Sequence, residues 1–172
     1  MITKDNNNIN LFYRNIRLFL VEHGLEDRDR IVGYSDIEIE GYEKLYGIQF
    51  PIEYRLFLKY FAKGGMRFFC GQTFKLEKLH DAFEVACELL SDRNEKLGNE
   101  CFVISQWQGY NFYYLNMNDA ESKVHLYMEG KGTTEMMTFQ NWIKWQIRAD
   151  LKSREQIEKR DLSHIETELN KI

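Results

Sequence analysis

Hydrophobic positions along the chain follow two rhythms, helical at first and alternating later. Ile9, Phe12, Ile16, Phe19 and Leu20 recur at helical spacing and Gly24 closes the pattern, so a helix is predicted over 8–23. The acidic stretch Glu26-Asp27-Arg28-Asp29-Arg30 follows. Ser35 and Glu38 then stand in capping-box register, and Gly47 marks the end of a second helix at Tyr46. Pro51 sits at the opening of a third helix, where its missing N–H costs least. The apolar face of that helix is Tyr54, Phe57, Leu58 and Phe61, with Gly64-Gly65 as a left-handed stop. A hairpin turning at Gly71 is predicted over 66–76. A long amphipathic helix is predicted over 80–97, burying Phe83, Ala86, Leu89 and Leu90 and ending at Gly98.

The rhythm changes after Gly98. Segments 101–105, 110–115 and 123–128 are β-rich runs joined by short turn-forming stretches, which implies antiparallel neighbours. Gly130-Lys131-Gly132-Thr133-Thr134 superficially resembles a phosphate loop. The lysine is followed by glycine, and no helix N-terminus follows to hold a phosphate, so it reads as a hairpin tip before a further β-like or coil stretch. Thr138 caps a helix from Phe139 to about Ala149, with Trp142, Ile143 and Trp145 on or near its inner face. Segment 151–172 is highly charged with a thin stripe of Leu162, Ile165, Leu169 and Ile172, and either docks as a helix or frays as a tail. The pattern predicts one α+β domain over 1–172: a central antiparallel-rich sheet flanked by N-terminal and C-terminal helices, its core at about 8–149.

Composition adds limits. A chain of 172 residues buries about 70% of its unfolded surface, so the fold needs no disulfide or structural metal. Cys70, Cys87 and Cys101 are odd in number and unpaired in spacing, which implies reduced cytoplasmic cysteines with small buried side chains. The first eight residues lack the apolar run of a signal peptide, and no stretch is long enough to insert in a membrane. A net charge of −4 disfavours nucleic acid as a partner and favours a basic protein or a small ligand.

Catalytic chemistry finds no anchor. His23, His80, His125 and His164 lie in four different elements without zinc spacing, and His125 belongs on the polar face of a strand. No serine stands in a nucleophile elbow, and Cys70 and Cys101 lie in apolar contexts that raise a thiol pKa. No catalytic residue, metal or cofactor is therefore assigned. Two binding signals remain. Acidic residues crowd 22–43, answered there only by Arg28 and Arg30; the stretch is either a solvated face around a helix junction or a surface that steers a basic protein. Trp107 and Tyr110 stand at a strand turn beside Phe112, Tyr113 and Tyr114. Alternation puts Tyr110, Phe112 and Tyr114 on one face and Tyr113 on the other. One face is core, and the other is either covered by a helix or a tyrosine-rich surface of the kind that anchors interfaces. The candidate partner-binding residues are Glu26, Asp27, Asp29, Asp36, Glu38, Glu40, Trp107 and Tyr110.

The pattern Ile48-x-Phe50-Pro51-x-x-Tyr54-x-x-Phe57-Leu58-x-x-Phe61-x-x-Gly64-Gly65 resembles the first motif of the SUKH superfamily, which includes the yeast Smi/Knr cell-wall regulators and many bacterial immunity proteins. Residues 102–105, Trp107, Gly109 and Phe112-Tyr113 resemble its central strands, and Phe139-x-x-Trp142-Ile143 its closing helix. The order of elements agrees over about 8–149, and from Gly65 to Ile143 it is also similar to the Syd branch. The resemblance implies an α+β fold without catalytic residues. It also implies a partner: a cognate polymorphic toxin, often a nuclease, neutralised by direct binding in the cytoplasm. The alternatives it leaves are a regulatory scaffold or a Syd-like module docking on an endogenous partner such as a Sec translocon subunit. An aromatic pocket serving a ligand or an enzyme is a third.

Overall fold

The computed structural model describes residues 4–64, 67–69, 72, 74–107 and 109–172, with the side chains of 4–6 left aside. Among these, helices α1 (Lys4–Glu22), α2 (Asp36–Tyr46), α3 (Ile52–Tyr60) and α4 (Leu76–Ser91) precede four strands. The strands are β1 (Cys101–Trp107), β2 (Asn111–Asn116), β3 (Lys123–Met128) and β4 (Gly132–Thr138), followed by α5 (Phe139–Glu158) and α6 (Ser163–Leu169). The strands form an antiparallel meander in the order β1-β2-β3-β4. The fold class is α+β, as the sequence pattern predicts.

Local chemistry sets the α2 boundaries. The Ser35 hydroxyl accepts the Glu38 N–H while the Glu38 carboxylate accepts the Ser35 N–H, and Gly47 closes the helix in the left-handed region at φ 64°. Just ahead of α2, Tyr34 N–H donates to the Leu58 carbonyl at 3.0 Å, which lays the chain on the end of α3. A Cβ at Gly33 would run into the Lys59 carbonyl, so only glycine permits that approach.

The sheet divides the core in two. Phe102, Ile104, Tyr113, Leu115 and Val124 face α3 and α5, where Tyr54, Phe57, Phe139 and Trp142 are buried. The ring of Tyr113 lies 5.2 Å from that of Trp142, and Phe102 lies 5.0 Å from Tyr54. Each such pair adds roughly 0.5–1.5 kcal/mol beyond area burial. On the opposite face, Val103, Phe112 and Tyr127 pack under Ala82, Ala86 and Leu90 of α4. Phe112 and Tyr114, together with Tyr113 on the other side, are thus covered by helices on both faces.

Several details depart from the sequence pattern. A 3-10 turn occupies Arg67–Phe69 where a hairpin strand is predicted, while 65, 66, 70, 71 and 73 lie outside the described residues. Phe68 and Phe69 are buried there, Phe68 against Phe69 and Phe69 against Phe74 and Trp142, so core packing replaces strand pairing. Gly64 is not a left-handed cap but bridges Val32 in an isolated antiparallel pair. Helix α4 occupies Leu76–Ser91 rather than 80–97 and leaves Phe83 exposed, because the buried stripe is Leu79, Ala82, Ala86 and Leu90. Trp145 is exposed as well. Cys87 is exposed and Cys101 half-buried, which corrects the expectation of buried thiols, and Cys70 lies outside the described residues. The segment after Met128 forms the fourth strand, with Gly130 and Gly132 left-handed at the hairpin tip.

The C-terminal segment docks. Leu151, Leu162, Ile165 and Leu169 are buried in the larger core cluster. Arg154 donates to the Leu25 carbonyl at 3.1 Å, and His23 lies 3.0 Å from Glu168.

Candidate partner-binding surface

The eight residues singled out for binding fall into two groups. Trp107 and Tyr110 meet at the β1–β2 turn with ring centroids 6.2 Å apart, both exposed, and Gly109 between them is left-handed at φ 80°. The six acids lie elsewhere, along α2 and the turn before it.

Glu26 is not a surface acid. It is 2% exposed; its carboxylate accepts the Arg67 N–H at 2.9 Å and the Asp27 N–H at 3.1 Å. The Arg67 guanidinium stands 3.6 Å away. Glu26 therefore clasps the turn after α1 to the segment after α3, and the exposure on which its candidacy rests is absent. Asp27, Asp29, Asp36, Glu38 and Glu40 are exposed.

Most of these acids meet cations from distant sequence. Asp27 pairs with Arg67 at 3.1 Å and Arg30 at 3.4 Å, Asp36 accepts from Lys59 at 2.7 Å, and Glu38 accepts from Lys63 at 2.5 Å. Arg55 lies 3.6 Å from Glu40 and hydrogen-bonds to Glu43, which in turn accepts the Phe50 N–H at 2.7 Å. The Lys63 hydrogen bond, with those from the Ser35 backbone and hydroxyl, holds the Glu38 carboxyl down at about 2. The local balance of 22–43 is thus corrected: α3 and the chain after it supply the counter-charges.

A different surface opens between α2 and α4. Tyr42 and Tyr46, one turn apart on α2, hold their rings 4.4 Å from each other, and Tyr46 lies 5.8 Å from the His80 ring on α4. These side chains and Phe83 wall a groove of about 350 Å³ whose floor includes Phe50 and Phe102. That volume is at the small end for ligand pockets, roughly 300–1,000 Å³. Tyr46 and Phe83 are 43% and 42% exposed, and the apolar surface continues to Leu45, 74% exposed.

The charges around this groove differ from those on the α3 side. Helices α2 and α4 each carry four acids and one lysine. Those of α2 turn to α3, whereas on α4 only Asp81 meets a lysine, Lys78 at 2.9 Å. Glu84 stands 3.5 Å from His80, and Glu77 accepts the Tyr34 hydroxyl at 2.6 Å. That hydrogen bond lowers the Glu77 carboxyl, with Lys75 and Lys63 contributing a smaller electrostatic share. Burial pushes the Cys101 thiol up, which leaves it protonated at the groove rather than poised as a nucleophile. Among the described residues, no three His, Cys, Asp or Glu side chains converge as metal ligands. No helix there is long and apolar enough to cross a membrane.

The groove eluded sequence reading because its walls come from three separated segments, and because periodicity assigns Phe83 to the core. The one signal available was Tyr42 and Tyr46 at i,i+4 spacing.

Residues 20–147 match the family model SUKH_5, described as SMI1-KNR4 cell-wall. The match spans most of the chain, and the protein belongs to this family. Membership fits a protein-binding module of the immunity type. No curated protein matches the chain.

Proposed function

We propose that this protein is a non-catalytic immunity protein that binds and neutralises a cognate toxin, of the nuclease type, in the cytoplasm. The observation that carries this reading is the uncovered apolar surface at Tyr46 and Phe83, with Glu84 and Glu100 at its margin, in a member of the SUKH family. Contiguous exposed apolar surface rimmed by charge is a feature of interaction sites. A nuclease domain is basic because it holds phosphates, so an acidic inhibitor competes for that surface and associates fast.

The test is a pull-down with the tagged full-length chain from lysate of the source cells at two salt concentrations, followed by co-expression of any captured partner. A stoichiometric partner with a basic toxic domain, whose toxicity the chain suppresses, supports the proposal. Capture of a translocon or signalling subunit instead replaces it with the scaffold reading.

A further inference from the structure

We infer that the α2–α4 groove receives an apolar side chain carried on a cationic segment of a protein partner. Tyr46 and Phe83 form the anchor, and Glu84 of α4 and Glu100 of the loop before β1 stand at its margin. This inference rests on the protein-binding reading and specifies its contact.

Three observations converge. First, the Tyr46 anchor ring is exposed but held in place: it lies between the Tyr42 and His80 rings, tilted against both, so docking costs it little side-chain ordering. Second, the exposed rings continue into buried ones at the floor, Phe50 and Phe102, so an entering apolar group leaves water on several sides at once. Third, two acids at the groove margin have no lysine or arginine at ion-pair distance among the described residues: Glu84, 3.5 Å from the His80 ring nitrogen, and Glu100, whereas Asp36, Glu38, Glu40 and Glu43 each have one. The Glu100 carboxylate lies over Gly98 at the groove margin, where a Cβ would come 2.5 Å from Oε1. An apolar centre with two such carboxylates at its margin is complementary to a hydrophobic residue flanked by lysine or arginine. A neutral apolar small molecule would fill the centre and leave the carboxylates without a role.

The probe is a library of random linear peptides displayed on phage and selected against the full-length protein. Enriched peptides are then synthesised and titrated. The expected winners carry a large aliphatic or aromatic residue flanked by lysine or arginine. Phe83→Ser and Tyr46→Ala should each weaken them by about tenfold or more. Ile157→Ser, at a position on α5 that is 77% exposed, should leave them unchanged. Should either groove variant lose its melting transition, the charge reversals Glu84→Lys and Glu100→Lys replace it, with the same expected loss. An absence of enrichment overturns the inference, as do winners without cations or winners that bind the groove variants normally. A toxin captured in the pull-down that binds Phe83→Ser as tightly as the native chain removes this groove while leaving the immunity reading intact. Groove-specific peptides without any toxin do the reverse.

Discussion

The two faces of the sheet are covered by helices to different ends. On one face α3 and α5 seal Tyr54, Phe57, Phe139 and Trp142 against Phe102 and Tyr113, an aromatic layer excluded from water. On the other, α4 rests on the sheet through Ala82 and Ala86. Small residues bring that helix close but leave Phe83 exposed, and between α4 and α2 a groove opens at the β1 edge of the sheet and reaches down to Phe102. Both regions are rich in aromatic rings. The first uses them for stability, and the second leaves them open to solvent.

The sharpest break of this comparison is a pair of truncations. Phe57→Ala removes a fully buried ring that packs against Phe61, Phe69, Phe74 and Phe139. It should cost roughly 3–5 kcal/mol in urea or thermal unfolding. Phe83→Ala, by contrast, should cost less than about 1 kcal/mol, because its ring is already wet. Equal losses would show that the two aromatic regions serve the same end.

The C-terminal segment extends the sealed side. Leu169→Ala empties a fully buried site and should cost about 2–4 kcal/mol. Deleting 162–172 should expose the core stripe of Leu162, Ile165 and Leu169 and yield an insoluble or markedly less stable chain. A truncated protein with an unmoved melting temperature would place α6 outside the cooperative unit.

How much of this was legible follows from the range of each signal. The capping box at Ser35 and Glu38, the stop at Gly47, the core face of α3 and the bounds of β3 are local, and the sequence pattern predicts each of them. Strand β4 is polar along much of its length because it is a sheet edge, so alternation is weak there. Helix α4 was shifted because alanines form its contact stripe, and a bulky Phe83 one position away outweighs them in any hydrophobic count. The candidate site was the least legible part. Whether an acid is buried, paired or available depends on chain that returns from far away: Arg67 reaches Glu26 across 41 residues and Lys63 reaches Glu38 across 25. Composition can count the acids of 22–43 but cannot see these partners.

The smallest expected effect separates the paired acids from the unpaired ones. Glu38 titrates at about 2 in the folded chain against an ordinary value of 4.5, chiefly through its hydrogen bond from Lys63. A depressed carboxyl stabilises the fold above its unfolded value, and that contribution is lost as pH falls from about 4.5 toward 2. Glu77, also lowered, adds to the same acid limb. In Glu38→Gln the side chain no longer titrates, so urea midpoints across this window should fall less steeply with acid than in the native chain. Peptide or partner binding at neutral pH should not change, since Glu38 spends its charge on Lys63 and Ser35. Glu84→Lys should weaken binding instead, because Glu84 stands at the groove and no lysine or arginine pairs with it among the described residues. If Glu38→Gln lost binding and kept the native acid limb, the division between acids that hold α2 on α3 and acids that face a partner would fail.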